Sequence, residues 1–158
     1  MTGATPEQLA AYLARIGVVG DVRPDLETLT ALHRAHVESI AWECIDCFLG
    51  RPTTRDPRAA FDKIVTGGRG GWCYEMNGLF GWMLEAIGFS VTRLAAGVMR
   101  EQLGDNAIGN HLLLIVHLDR DHLADVGLGS GLVEPIPFAE GDYVQRHATF
   151  GLRPLADG

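Results

Sequence analysis

The chain is poor in cysteine, in positive charge and in long apolar runs, and each scarcity narrows what it can be. Cysteine stands only at positions 44, 47 and 73 of 158 residues. Three is an odd number and a poor disulfide framework, so free thiols in a reducing compartment are expected. Lysine and arginine total 13 against 20 aspartates and glutamates, a formal net charge of −7, and no basic block occurs. A nucleic-acid groove needs clustered positive charge, which argues against that class. The apolar runs are too short to span a membrane, and no basic-then-apolar signal segment opens the chain. The expectation is a cytoplasmic protein with no nucleic-acid or membrane partner. There is no G-x-G-x-x-G, no Walker sequence and no H-E-x-x-H.

What is present is an ordinary apolar fraction of 47% and as many as 20 glycines. That suits one domain, or two small units sharing a core, with tight loops. Pro6 begins a first helix with Leu9, Tyr12, Leu13 and Ile16 at helical spacing, broken by Gly17 and Gly20. Residues 25–41 read as a longer helix, capped by Asp25 and lined by Leu26, Leu29, Leu32, His36 and Ile40. A short helix is expected over 57–65. The run GGRGG at 67–71 cannot be helix interior. WCYEMNGLFGWMLEAIG at 72–88 then carries an apolar helical face, with Cys73 near its N-terminus. Strands are expected at 91–99 and 111–118, a hairpin tip at Asp119-Arg120, a loop over 127–141 and another strand at 143–152. Helices first and strands second predict an α+β fold, with a helical domain over 1–88 and a β-rich domain over 89–158.

Cys73 is the leading chemical candidate. A free cysteine is commonly just a small buried apolar residue. Here the helix N-terminus favours a thiolate, and backbone N–H groups of the same turn suit a negative oxygen. A cysteine nucleophile wants a base, and the base wants an orienting partner. His111 opens an apolar strand and Asp125 lies among apolar residues in HLADVGLG. An adjacent antiparallel strand would bring the two together. Composition and spacing leave two other readings open: His111 as a structural histidine, and Asp125 as the cap of a glycine turn. Cys44 and Cys47 have the spacing of a redox or metal half-site. No second close Cys/His pair follows, so core packing is expected for them and no metal site.

Four ordered segments nevertheless resemble the arylamine N-acetyltransferase family: LHRAHVESIAWECID at 32–46, RGGWCYEMN at 69–77, GNHLLLIV at 109–116 and DVGLG at 125–129. The resemblance implies a nucleophile at Cys73, a catalytic histidine at His111 and an aspartate at Asp125. It implies a supporting charged pair in Glu43 and Arg69, with Glu75 and Asn77 also supporting. Trp42 and Val98 would line the arylamine pocket, and the loop with Gly129, Ser130 and Gly131 would lie near the acyl donor. Ala41, Cys44 and Leu128 replace a family proline, asparagine and phenylalanine, which alters pocket shape.

The implied fold is an N-terminal helical bundle followed by a β-rich, barrel-like domain, a cysteine-protease-like catalytic core. The family has a third, C-terminal lid domain, so this chain reads as truncated and open to self-association. The implied activity is acetyl transfer from acetyl-CoA to aromatic amines or hydrazines through a Cys73 thioester, with no permanently bound cofactor. The rivals are a macrolactam-forming amide synthase, a cysteine hydrolase and an inactive fragment.

Overall fold

Helix α1 (Pro6–Arg15) starts where a capping box closes: the Thr5 hydroxyl accepts from Gln8 N–H, and the Gln8 side chain accepts from Thr5 N–H. The computed structural model describes residues 3–154. Helix α2 (Leu26–Ser39) is capped as expected, the Asp25 carboxylate accepting from Thr28 N–H at 2.8 Å. A four-residue helix α3 (Ile45–Phe48) follows. Then comes α4 (Pro57–Phe61), with proline in its first turn, and it runs on as a π-helical turn through Thr66.

Helix α5 (Cys73–Ile87) is the centre of the molecule. Residues 75–84 are all buried, which makes it a helix apolar nearly all round and therefore enclosed by other elements. It ends on Gly88, whose φ of 109° is a left-handed cap that favours glycine. Tyr12, Leu29, Leu32 and Ile64 pack with its Met76, Leu79, Phe80, Met83 and Leu84, while Leu114 and Val116 join from the sheet. Phe80 meets two buried histidines edge-on, His33 at 5.7 Å and His36 at 5.4 Å between ring centroids. The core thus crosses from the helical half into the strands.

Strand β1 (Ser90–Ala96) pairs antiparallel with β2 (His111–His117), β2 with β3 (Asp121–Ala124) and β3 with the two-residue β4 (Ile136–Pro137). In register, Ala96 faces His111 and Leu114 faces Ala124. Strand β1 stops short of the expected residue 99, because Met99 turns left-handed (φ 61°) and starts a short helix α6 (Arg100–Leu103).

The barrel expectation is corrected. The four strands form an open sheet in the order β1-β2-β3-β4, and β5 (Gly141–Gln145) pairs only with β6 (Ala148–Leu152). Closing a sheet needs continuous ladders between all neighbours. Strand β4 is two residues long and ends on Pro137, which has no N–H for a further ladder. The single strand expected over 143–152 is in fact this β5–β6 hairpin, turned at Arg146 (φ 51°). Among the described residues, no helix is long and apolar enough to cross a membrane.

Burial pushes the His33 imidazole down to about 4, against bonds and charges from Val133 and Asp125 that raise it. Burial, then the neighbouring His33 and Arg15, push His36 down to about 3. Both rings fold neutral and titrate near 6.5 when unfolded. The unfolded chain therefore binds more protons below about 6.5, and stability falls as pH drops through that window towards 4. Urea melts between pH 6.5 and 5, above most carboxylate titrations, should show this loss; a flat profile would contradict it.

Candidate active site

Cys73 is the first residue of α5 and only 7% exposed. Its Sγ lies 3.8 Å from the carbonyl oxygen of Asn110, the residue before β2. His111 opens β2, and its Nε2 bonds Asp125 Oδ2 at 2.7 Å. That leaves Nδ1 as the ring nitrogen available to the thiol, and Cys73 lies close enough to raise the imidazole's hold on its proton. Burial opposes charge on His111. The bonds to Asp125 and Cys73, with the charge on each, outweigh it and push the imidazole up to about 9. Burial likewise raises the Asp125 carboxyl, but His111, Asn77 and the Gly127 amide hold it below its ordinary value.

The support of Asp125 is complete. Its Oδ1 accepts from Asn77 Nδ2 at 2.8 Å and from Gly127 N–H at 2.9 Å. Asn77 also donates to Leu112 O at 2.7 Å and accepts from Val126 N–H at 2.9 Å. The Asp125 N–H donates to His33 Nε2 at 3.1 Å. The other His33 nitrogen therefore carries the proton and donates to Val133 O at 2.9 Å. Gly127 has to be glycine: a Cβ there would stand 2.6 Å from Asn77 Nδ2 and 2.8 Å from Cys73 Cα.

Beneath the start of α5 lies an ion network. Arg69 Nη2 bonds Glu43 Oε1 at 2.8 Å, so the expected pair is formed. At its centre is Lys63, the only lysine in the chain. Its Nζ is 2.7 Å from Glu75 Oε2, 3.0 Å from Asp46 Oδ2 and 3.4 Å from Glu43 Oε1. The same Glu75 oxygen accepts from Trp72 N–H at 3.2 Å, capping α5 one residue before Cys73. Gly70 is pressed against the strand-like segment at Ala41, where a Cβ would sit 1.9 Å from the Ala41 carbonyl oxygen.

The other expected residues form a rim. Trp42 is 47% exposed; its Nε1 donates to Gly127 O at 2.9 Å and its ring faces Gly129. The Val98 N–H and C=O both pair with the Asn110 side chain, at 2.8 and 3.0 Å. Ser130 is exposed, and Gly131 packs on Leu128. Cys44 and Cys47 were expected in the core, but both are exposed, because α3 buries none of its residues. The sequence reading missed His33, Asp46 and Lys63. The one available signal for Lys63 was its being the sole lysine; His33 stood beside the buried Leu32 on α2 and read as an ordinary helix-face residue. A cavity of about 720 Å³ opens among Pro24, Phe89, His117, Arg120 and Pro137, but none of Cys73, His111 and Asp125 lines it.

Fold and site together define an α+β protein with a cysteine–histidine–aspartate cluster at a helix–sheet junction. A family profile described as N-acetyltransferase matches residues 25–156. An arylamine N-acetyltransferase of Mycolicibacterium smegmatis is 41% identical, the match covering 94% of this chain and 57% of the relative. The solved structure of M. smegmatis arylamine N-acetyltransferase superposes with a TM-score of 0.84 at 41% identity, over 94% of this chain and 57% of that one. The Mycobacterium marinum enzyme in complex with CoA gives 0.84 at 34% identity, over 95% and 58%. The chain belongs to the arylamine N-acetyltransferase family, and it spans a little over half the length of these relatives.

If Asp125 and Cys73 hold the proton on His111, the ring should titrate near 9 by NMR. The folded value is raised, so this contribution to stability is full below about 6.5 and is lost as pH rises to 9. Asp125→Asn should bring the titration to 6.5 or below, since burial then acts with less opposition. An unchanged midpoint in that variant would contradict the assignment.

Proposed function

We propose that this chain carries the acyl-transfer centre of an arylamine N-acetyltransferase. The helical part, residues 1–88, supplies the nucleophile, and the β part, residues 89–158, supplies its base and orienting carboxylate. The observation that carries this reading is the His111–Asp125 bond beside Cys73 at a helix N-terminus. His111, oriented by Asp125 beside Cys73, is placed to take the thiol proton, either on attack or in a resting thiolate–imidazolium pair.

In the first half-reaction, Cys73 sulfur attacks the thioester carbonyl of acetyl-CoA. The tetrahedral oxyanion is stabilised by free amides of the first turn of α5. It collapses by breaking the carbon–sulfur bond to CoA, whose thiolate takes the proton from His111. In the second, the amine nitrogen attacks the Cys73 acetyl thioester. His111 accepts the amine proton, the Cys73–carbonyl bond breaks, and the amide leaves with the imidazolium restored. Asp125 keeps the ring oriented throughout and balances its charge.

Trp42 and Val98 stand on the rim as the acceptor wall. Gly129, Ser130 and Gly131 form the donor-side loop, where small residues leave backbone N–H groups open to the phosphates of CoA. Glu43 and Arg69 support the loop before Cys73. The family relative held in complex with CoA supports this donor.

Intact mass after mixing with acetyl-CoA tests the reading. A gain of about 42 Da, one acetyl group on a covalent intermediate, is expected, and it should be absent in Cys73→Ala. An aromatic amine should discharge it. Asp125→Asn should slow acetylation by about a hundredfold or more. Absence of the adduct from the folded chain would overturn the proposal for this chain; absence from a full-length relative as well would overturn acetyl-CoA as the donor and favour amide synthesis.

A further inference from the structure

Helix α3 presents two thiols that the acyl-transfer centre does not use. Cys44 immediately precedes the helix and Cys47 is its third residue, and both are exposed and free. Phe48 N–H donates to Cys44 O at 3.0 Å, so residues 44–48 complete an α-helical turn. In such a turn, positions three apart share a face with Cα atoms about 5 Å apart, inside the span of a disulfide.

The two residues between the thiols are built into the ion network. Ile45 N–H donates to Glu43 Oε2 at 2.7 Å. Asp46 bonds Lys63 and Arg69, each at 3.0 Å. Lys63 bonds Glu75, which caps Trp72 beside Cys73. A change in the backbone of residues 44–47 therefore has a contiguous route of charged contacts to the first turn of α5.

We propose that Cys44 and Cys47 form a reversible disulfide site that exchanges with low-molecular-weight disulfides and is coupled through Asp46 and Lys63 to Cys73. One cysteine, having lost its proton to solvent, attacks the small disulfide. A protein mixed disulfide forms and one small thiolate leaves. The second cysteine, also deprotonated, attacks the protein sulfur of that mixed disulfide. The Cys44–Cys47 bond forms and a second small thiolate leaves. Two protein thiols are oxidised, one small disulfide is reduced to two thiols, and the protons balance through solvent. Cys73, buried and on another element, takes no part, and the inference does not depend on acetyl transfer.

The reduced full chain is incubated with oxidised glutathione, quenched in acid, alkylated and digested with trypsin. Residues 35–55 carry both Cys44 and Cys47 on one peptide, since Arg51 precedes Pro52, and Cys73 falls on residues 70–93. The expected result is a 35–55 peptide lighter by about 2 Da that takes no alkyl group, from loss of two hydrogens, with the Cys73 peptide still alkylatable. Cys44→Ser should instead stop at a glutathione adduct on Cys47. The rate of Cys73 alkylation in the folded chain should change by about twofold or more on closure, and not in the glutathione-treated Cys44→Ser chain. Stable glutathione adducts on wild-type Cys44 and Cys47 without ring closure would overturn the site. Closure with an unchanged Cys73 rate would overturn the coupled site proposed here.

Discussion

Asn77 is the residue on which the geometry of the site depends. It lies one helical turn beyond Cys73, so its position follows automatically from that of the thiol. Its amide is wholly used: two donors to Leu112 O and Asp125 Oδ1, one acceptor from Val126 N–H. These bonds tie α5 to the start of β2, where His111 sits, and to the end of β3, where Asp125 sits. Three groups on three elements are thereby brought to one point by a side chain that does no chemistry itself. Leaving any of these buried partners unpaired costs about 1–3 kcal/mol, which is why a shorter or apolar side chain could not hold the same arrangement. Gly127 follows from the same constraint, because the clamp draws its backbone so close to Cys73 and Asn77 that no Cβ fits.

Burying ionisable groups beside a thiol has an electrostatic cost, and the chain meets it with two separate devices. At Asp125, a carboxylate is stabilised by one imidazole and two neutral donors. Below α5, Glu43, Asp46 and Glu75 converge on Lys63 and Arg69. Removing one partner from a buried set is far more damaging than the set is stabilising, since the remaining charge is left without compensation. This network therefore acts mainly by specifying position. It fixes the double-glycine approach against Ala41 and caps α5, and so it determines where Cys73 emerges.

Much of this was legible in the residues. The apolar periodicity ending on Gly88 read as a helix, though not as an enclosed one, and Asp25, Pro6 and Pro57 marked helix starts as the structure has them. A short turn at Asp119-Arg120 offered His111 and Asp125 as neighbours beside two blander readings, and the antiparallel pairing of β2 with β3 brings them together. What could not be read depended on tertiary context. Cys44 and Cys47 sit among apolar letters, but α3 is too short to bury a face, so the thiols emerge at the surface. Barrel closure failed at a two-residue strand ending on a proline, a feature whose effect depends on which strand would have paired next. His33 looked like any helix histidine until Asp125, 92 residues away, placed its N–H on the ring.

The interior and the rim of the site are held in different ways. Asp125 and Asn77 are each held by several matched bonds, which leaves them little freedom to vary. The rim is held more loosely. Trp42 is anchored by one bond from its indole, and Val98 by a backbone pair to Asn110. Trp42 and Val98 remain substantially exposed, as does Leu128. Substitutions there can reshape the rim without disturbing the thiol, the imidazole or the carboxylate. Ala41 and Leu128 lie beside that rim, the one next to Trp42 and the other within the segment that opens on Asp125, whereas Cys73, His111 and Asp125 themselves are buried. The buried groups and the rim are thus held by different kinds of contact, several mutual bonds in one case, exposed and single anchors in the other.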